Sequence, residues 1–146
     1  MDELTQRARK VFADDKYATE LTGITIETVR RDSTICTLQL AQCHRNARGA
    51  VMGGVIFTLA DFTFAIAANS DLLATTDCEE PTLEWVSSTS TIHFLNATKG
   101  DKLTATSKCI KQGRTQAVFE IDIIDESQRH IALITTTGAR IPSSNF

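Results

Sequence analysis

Asp61 is the one charged residue in the mainly apolar run from Gly53 to Ala68, which the pair Gly53 and Gly54 opens. An ionised carboxylate among apolar neighbours is costly unless it is hydrogen-bonded or used. The first backbone N–H groups of a helix have no partner inside it and point outward at its positive end. The pattern therefore combines a candidate base or nucleophile with candidate hydrogen-bond donors for a developing negative charge.

The spacing of these two groups limits how they can act together. Eight residues separate Gly53 from Asp61, and on one helix this is about 12 Å along the axis. One helix therefore cannot bring both groups to the same reacting atom. If both act in one reaction, we expect them to come from two subunits related by a two-fold axis, which creates two equal sites. Two alternatives stay open: Asp61 bonded to a partner chain only to specify a dimer, and glycines chosen for close packing.

The length of the apolar run indicates which element carries these groups. The run is too long for an ordinary strand. It is also too short for a membrane-spanning helix, which needs about 20 mainly apolar residues, and it has a charge near its middle. We therefore predict a central helix. Because this helix is apolar on all sides, we expect other elements to cover it on all sides.

The rest of the chain is predicted to be mainly strands. A short amphipathic helix starts at Asp2, and loops at 43–49 and 71–81 flank the central helix. Alternating or β-branched residues predict strands over 21–31, 33–40, 82–95, 103–110, 117–124 and 131–140. Strands before and after one apolar helix favour an α+β fold in which a curved antiparallel sheet wraps the helix. Short turns between the later strands favour a meander there.

Composition excludes several classes of function. We expect residues 1–146 to form a single domain with a substantial core. The formal net charge of −3 gives no general attraction to nucleic acid. The four cysteines include no C-x-x-C pair, and the adjacent Cys43 and His44 lack a second ligand pair, so we expect no metal site. Cys36 and Cys109 fit buried free thiols. No signal peptide is evident, so we expect a cytoplasmic protein without membrane contact.

Three segments together resemble the PaaI-type thioesterases of the hotdog superfamily. They are HRNARGAVMGGVIFTLAD (His44 to Asp61), STIHFLNATKGDKL (Ser90 to Leu103) and KQGRT (Lys111 to Thr115). The combined pattern N-x-x-G-x-x-x-G-G-x-x-x-x-L-x-D is fairly specific, whereas any one glycine is weak. The resemblance implies a hotdog fold, in which a curved sheet holds one long helix, and dimers that join two sheets edge to edge, often paired into tetramers. It also implies hydrolysis of acyl-coenzyme A thioesters without a metal or other cofactor.

The resemblance assigns catalytic roles to four residues. It implies that the Gly53 N–H donates to the thioester oxygen and that Asp61 is nucleophile or general base; the residues do not choose between carboxylate attack and activation of water. It implies that Asn46 contacts the thioester or orders the site, although Asn is also a common turn-former. Ser87 matches a polar position near the carboxylate and water, but its Ser- and Thr-rich surroundings fit a plain surface strand equally well.

Met52 departs from the family pattern. The family usually shows H-G-G where this chain has M-G-G, and the histidine is a side-chain donor to the thioester carbonyl. Methionine cannot donate a hydrogen bond. Loss of one oxyanion donor typically costs ~10²–10³ in turnover. We therefore expect Met52 to make this a slow or unusually selective thioesterase.

Five further residues are predicted to bind substrate. Gly54 and His44 belong to the helix start and its entry loop, and Phe62 adjoins the carboxylate, where it could line an acyl pocket. Core packing is the alternative for Phe62. Lys111 and Arg114 resemble the family's surface for the phosphates and adenine of coenzyme A, although an exposed basic turn is often only solvated.

Three functions remain open on the sequence. The first is hydrolysis of an acyl-coenzyme A thioester. The second is a binding protein in which Met52 has silenced hydrolysis, so that the dimer groove only holds an acyl thioester or serves regulation or assembly. The third, a hotdog dehydratase, needs a catalytic histidine paired with a carboxylate, and only His44 lies near the motif. The residues do not specify the identity of the acyl group or whether the protein is a dimer or a tetramer.

Overall fold

The computed structural model describes residues 1–75 and 81–142, so Cys78 lies outside the described residues. The helical elements are α1 (Glu3–Phe12), a π-helical turn (Tyr17–Thr22), a 3-10 turn (Gln42–His44), α2 (Gly53–Ala68) and α3 (Ser70–Thr75). The strands are β1 (Ile24–Val29), β2 (Thr34–Gln39), β3 (Trp85–Phe94), β4 (Lys102–Gln112), β5 (Gln116–Asp125) and β6 (His130–Arg140). No helix in the described ranges is long and apolar enough to span a membrane.

The first forty residues match the sequence prediction except at one element. The Asp2 carboxylate caps α1 by accepting a hydrogen bond from the Thr5 N–H at 2.8 Å, which satisfies one of the free donors at the helix start. The predicted strand from residue 21 starts only at Ile24, because the π-helical turn occupies the preceding residues. That turn ends at Gly23, whose φ of +89° lies in the left-handed region that favours glycine.

The sheet has the order β1-β2-β4-β5-β6-β3, and every neighbouring pair is antiparallel. The predicted meander is confirmed for β4, β5 and β6. It is wrong for β3, which lies at the far edge beside β6, while β4 pairs with β2. The burial of the strands fits this order: most β3 side chains are exposed, whereas β5 alternates between buried and half-buried positions from Ala117 onward. The strand with least apolar surface to bury takes the edge.

Helix α2 lies across the sheet and supplies much of the core, with the bounds that the apolar run predicts. Phe64 is 1 % exposed and meets Phe119 of β5 edge-to-face at a centroid distance of 5.6 Å. A Cβ on Gly138 of β6 would lie 2.6 Å from the Phe64 ring, so glycine at this position lets helix and sheet approach. This close packing fixes how α2 is seated on the sheet.

One face of α2 is only partly covered, contrary to the prediction that the whole helix is enclosed. The half-buried or exposed residues on this face, here called the open stripe, recur at helical spacing: Gly54, Phe57, Thr58, Asp61 and Ala65. The sheet covers the opposite side of the helix, and no described residue lies over the full length of the stripe. The apolar surface of α2 is therefore larger than the area that the rest of this chain covers.

The connection after α2 starts with an element that the sequence does not predict. Residues 71–81 were expected to be a mixed loop, but 70–75 form the short helix α3, and 76–80 lie outside the described residues. Asn69, at the junction of α2 and α3, is 1 % exposed. Its side chain binds backbone atoms of Ala65, Glu84 and Trp85 and so ties the end of α2 to the start of β3.

Candidate active site

Asp61 lies midway along α2 on the open stripe and is half-buried. It borders a hollow of about 310 Å³, here called the Asp61 hollow. Thr58, Phe62 and Ala65 of α2 form one side, and residues 15–18 form the other. The carboxylate therefore faces a cleft that is open to substrate, as a base or nucleophile requires.

Gly53 is the first residue of α2, and no atom of the described residues accepts a hydrogen bond from its N–H. It borders a second hollow of about 440 Å³, here called the Gly53 hollow, whose other walls include Val51, Ile56, Ile131 and residues 94–98. A free donor at the positive end of a helix, beside a cavity, is suited to bind a carbonyl oxygen that gains negative charge.

The two glycines differ in what they contact. A Cβ on Gly53 would lie 3.1 Å from the ring of Phe94, so the absence of a side chain lets this ring cover the helix start. A Cβ on Gly54 would meet no atom within 4 Å. Close packing within the chain therefore accounts for the first glycine of the pair, and it gives no reason for the second.

The chain does not bring Asp61 and Gly53 to one point. They line different hollows and belong to the same straight run of helix, about 12 Å apart along its axis. A reaction that uses both groups therefore needs a second copy of the chain.

The loop that leads into α2 is held by His44 and Asn46. His44 is 5 % exposed; its Nε2 lies 2.7 Å from the Thr22 carbonyl oxygen, and its Nδ1 accepts a hydrogen bond from the Ala41 N–H at 2.9 Å. Both ring nitrogens are therefore occupied, so the predicted contact of His44 with substrate does not fit this placement, and neither does a dehydratase role. The histidine is an anchor for the loop.

Asn46 has the turn-forming contacts that the sequence offered as its alternative role. Its Oδ1 accepts hydrogen bonds from the N–H groups of Arg48 at 3.0 Å and Ala50 at 3.1 Å. Its Nδ2 has no acceptor among the residues that the structure describes, and the side chain is exposed. Asn46 can therefore order the loop through its oxygen and still donate to a ligand through its nitrogen.

Met52 is the residue immediately before α2, and its side chain is 44 % exposed. Its N–H donates to the His44 carbonyl oxygen at 2.9 Å, which ties the entry loop to the helix start. Met52 thus precedes the free Gly53 N–H directly, at the position where the family has a histidine that can donate a hydrogen bond and methionine cannot.

Comparison with known proteins decides the family. The model of the Thioesterase superfamily matches residues 48–132, more than half of the chain. The chain is similar to acyl-coenzyme A thioesterase PaaI of Escherichia coli, with 33 % identity over 93 % of this chain and 90 % of that protein. The chain belongs to the thioesterase superfamily. Within it, this is a PaaI-type member, and the predicted hotdog fold is confirmed.

Solved structures agree with this assignment. The Escherichia coli PaaI structure has a TM-score of 0.78 and 27 % identity, covering 96 % of this chain and 97 % of the other. A hypothetical thioesterase from Streptococcus pneumoniae, solved with coenzyme A, has a TM-score of 0.75 and 26 % identity, covering 88 % and 95 %.

Four predicted site residues of this PaaI-type chain remain to be placed (Ser87, Phe62, Lys111 and Arg114), and of these only Phe62 borders the Asp61 hollow. Ser87 is exposed on β3, at a register shift between Ser87 and Thr89 where the strand leaves regular pairing with β6. Phe62 is 4 % exposed and packs edge-to-face on Phe12 at 5.9 Å, so core packing dominates, although one side of the ring borders the Asp61 hollow.

Lys111 and Arg114 are exposed around the β4–β5 turn and border a hollow of about 230 Å³. The adjacent Gln112 donates through Nε2 to the Ala68 carbonyl oxygen at 2.8 Å, which places this turn beside the last turn of α2. The basic turn therefore lies at the end of the helix opposite to Gly53 of the same chain.

Sequence reasoning missed three residues that shape the site. Asp15, just before the π-helical turn, and Tyr17, its first residue, border the Asp61 hollow, and Phe94 covers Gly53. The spacing of apolar residues carries no signal for the first two, because they precede Asp61 by more than forty positions and reach it only through tertiary folding. The alternation of apolar residues along its strand indicates that Phe94 belongs to a packed face, but Phe94 is 58 % exposed and its ring lies over the helix start.

Proposed function

We propose that this chain hydrolyses an acyl-coenzyme A thioester to the free acid and coenzyme A in a homodimer or a dimer of dimers. Asp61 comes from one subunit and the Gly53 N–H from the other. The observation that carries the proposal is that Asp61 and Gly53 each border a hollow beside α2, yet within one chain they lie too far apart to act on the same atom. Similarity to acyl-coenzyme A thioesterase PaaI supports the reaction.

A two-fold axis beside the open stripe gives the required pairing. If two α2 helices run antiparallel and cross midway between residues 53 and 61, each Asp61 lies opposite the partner's Gly53. Phe57, at this midpoint, is 39 % exposed, as a residue that another helix covers would be. The edge strand β3 has an unpaired side along which a second sheet can join.

The chemistry then follows from the groups at each shared site. The thioester oxygen accepts a hydrogen bond from the Gly53 N–H, which stabilises the negative charge that develops on it. If Asp61 of the opposite subunit attacks the carbonyl carbon, the coenzyme A thiolate leaves, and water then cleaves the acyl–Asp61 anhydride to release the free acid and restore the carboxylate. If Asp61 instead removes a proton from the attacking water, the tetrahedral intermediate expels the thiolate and leaves the free acid directly. No metal ion takes part in this scheme. Asn46 Nδ2 donates to the substrate, and Ser87 orients the water.

The same antiparallel pairing accounts for the basic turn. Lys111 and Arg114 lie near the end of α2, and the two-fold axis brings that end close to the partner's helix start. The basic turn of one subunit therefore lies on the same side as the partner's Gly53, where its two cations can bind the phosphates of coenzyme A. We place this reaction in the cytoplasm.

Mixed dimers of two inactive variants test both the reaction and the shared site. Asp61→Asn removes the carboxylate function. Gly53→Pro removes the N–H at a first helical position, which suits proline, and the Met52 ψ of 137° suits a residue before proline. Because a Cβ here would lie 3.1 Å from the Phe94 ring, Gly53→Ala, which adds the Cβ and keeps the N–H, is the control. Thiol release from acyl-coenzyme A is measured for each variant alone and after co-expression.

The outcomes of this experiment separate the arrangements. If sites are shared, each variant alone is inactive and random mixing restores about a quarter of wild-type activity, since half of the dimers contain one intact site of two. Recovery near zero, with mixed dimers demonstrated, would contradict the shared site. Undiminished release by Asp61→Asn would contradict the proposed role of the carboxylate.

A second function, binding of acyl-coenzyme A without hydrolysis, is favoured by one observation. Met52 lies at the helix start where a donor would assist the oxyanion, and it has none to offer. Saturable binding of acyl-coenzyme A by the wild-type protein, with no thiol release on any acyl group, would support this function over hydrolysis.

A further inference from the structure

We propose that the Asp61 hollow receives the acyl group of the substrate and that Asp15, on its rim, makes it discriminate against acyl groups with a terminal carboxylate. This inference rests on the proposed thioesterase function. The inference adds to that function the location of the acyl pocket and the charge selectivity of the reaction.

The position of Asp61 places the acyl group here. If its carboxylate, or a water that it holds, attacks the thioester, the carbonyl carbon lies within about 3–3.5 Å of the attacking oxygen. The atoms bonded to that carbon then reach directly into the hollow that Asp61 borders. Ala18 is 7 % exposed and Phe62 is 4 % exposed, and with Ala65 they form an apolar wall suited to hydrocarbon.

The coenzyme A half of the substrate does not suit this hollow. Asp15 and Asp61 both border it, whereas phosphates need cationic partners such as those of the β4–β5 turn. The volume of about 310 Å³ has room for about ten non-hydrogen atoms at roughly 30 Å³ each, which is enough for a short acyl chain or one small ring.

The charges around the hollow favour a neutral acyl group. Lys16 is the cation on its lining, but its Nζ lies 3.1 Å from the Glu20 carboxylate, which offsets its field. Burial, followed by the charges of Asp14 and Asp61, raises the pKa of Asp15, so the charge of Asp61 is felt by Asp15 on the other side of the hollow. A third carboxylate brought in by substrate would meet repulsion from both.

Asp15 can be changed without loss of a described contact. None of its hydrogen bonds among the described residues uses the carboxylate; its backbone carbonyl accepts from the Ala18 and Thr19 N–H groups. Asp15→Asn therefore removes charge and keeps shape. Asp14→Asn is the matched control, because it makes the same change one residue away, at an exposed side chain that does not border the hollow.

The experiment compares two substrates of nearly equal shape on each preparation. Glutaryl-coenzyme A ends in a carboxylate, and 5-methylhexanoyl-coenzyme A ends in an isopropyl group of similar size. The ratio of kcat/KM for the two is measured by thiol release in the wild type and both variants. Because the ratio comes from one preparation, differences in the folded fraction cancel.

We expect Asp15→Asn to raise the glutaryl to 5-methylhexanoyl ratio about five- to tenfold, as removal of one charge at close range predicts. Asp14→Asn should change the ratio less than twofold. Equal ratios in all three proteins would overturn the inference. The proposed function would still stand if the wild type releases thiol and Asp61→Asn does not. Absence of release by the wild type on both esters and on a wider panel would instead count against the proposed function itself.

A further variant locates the acyl group independently. Ala97→Asp adds a carboxylate at an exposed position of the Gly53 hollow. We expect it to leave the substrate ratio within twofold of wild type. A fall in the ratio for Ala97→Asp, with no rise for Asp15→Asn, would place the acyl group beside Gly53 and overturn the assignment.

Discussion

Replacement of Asn69 by alanine should be among the most destabilising single changes in this chain. The Asn69 Oδ1 accepts hydrogen bonds from the N–H groups of Glu84 and Trp85, each at 3.0 Å. Its Nδ2 donates to the carbonyl oxygens of Ala65 at 2.8 Å and Trp85 at 3.1 Å. One buried amide thus satisfies backbone groups at the end of α2 and the start of β3, the two elements that present the open stripe and the sheet edge.

The contacts set the size of the effect. Asn69→Ala leaves the Glu84 and Trp85 N–H groups and the Trp85 carbonyl without that partner, whereas the Ala65 carbonyl keeps a bond from the Asn69 N–H at 3.3 Å. A buried polar group left unpaired costs about 1–3 kcal/mol, and Glu84 is only half-buried, so water can replace part of its bond. We therefore expect the free energy of unfolding to fall by about 3–5 kcal/mol, which corresponds to a fall in Tm of roughly 10 °C.

Urea unfolding at one fixed protein concentration measures this loss, because the stability of an oligomer depends on concentration. Asn96→Ala is the control on an exposed surface: the Asn96 amide makes two hydrogen bonds, one to the His130 carbonyl oxygen at 2.8 Å and one from Arg129 at 3.0 Å, against four for Asn69. It should cost less than about 1 kcal/mol. A loss below about 1.5 kcal/mol for Asn69→Ala, or equal losses for both variants, would refute this account of the junction.

Three further predictions follow from the site and its surroundings. Met52→His restores a side-chain donor beside Gly53 and should raise turnover by up to ~10²–10³ on a panel of acyl-coenzyme A esters; no gain on any ester would remove the idea. In Gly54→Ala the added Cβ meets no atom within 4 Å in the described residues beyond its own stretch of helix. A weaker self-association by sedimentation, with unfolding of the monomer unchanged or improved, would therefore identify the open stripe as an interface, and undisturbed association would speak against it. Burial raises the pKa of the Cys36 thiol to about 12. In a variant with serine at the other cysteines, we therefore expect Cys36 to react with a disulfide reagent at pH 8 only after unfolding. Rapid reaction of the folded protein would contradict the burial of this thiol.

The local elements were largely predictable from the sequence. The α2 bounds agree with the apolar run because few polar residues interrupt it and glycine marks its start. In β5, the residues of one parity (Ala117, Phe119, Ile121 and Ile123) are all buried, as a period of two predicts. Both patterns report burial along a single segment, and burial along a segment is what the spacing of apolar residues encodes.

The arrangement of these elements was less predictable. The spacing of residues in β3 does not say which strand it pairs with, and its position beside β6 depends on competition among all the strands for the interior of the sheet. The π-helical turn carries mixed residues that fit a strand start equally well. Asp15 borders the same hollow as Asp61 only because this turn packs against α2, which no local pattern contains.

Site residues were predictable where the residue type fits one role at its position, and they were ambiguous where it fits several. Asp61 stood out because a carboxylate is rare in an apolar helix. His44 fitted both a ligand and an anchor, and two backbone contacts decide for the anchor. Asn46 fitted both a turn-former and a donor, and its two amide ends allow both, since the oxygen is used within the loop and the nitrogen is left available.

The half-exposed position of Asp61 connects the assembly of this protein to its chemistry. In a helix enclosed by its own chain, this carboxylate would need an internal partner to avoid a large desolvation cost. On the open stripe it keeps contact with water in the single chain, so the chain can fold without such a partner. A second copy that covers the stripe would remove that water and supply a backbone donor and a substrate cleft in its place. The feature that makes α2 incompletely covered is therefore the same one that would let two chains complete an active site.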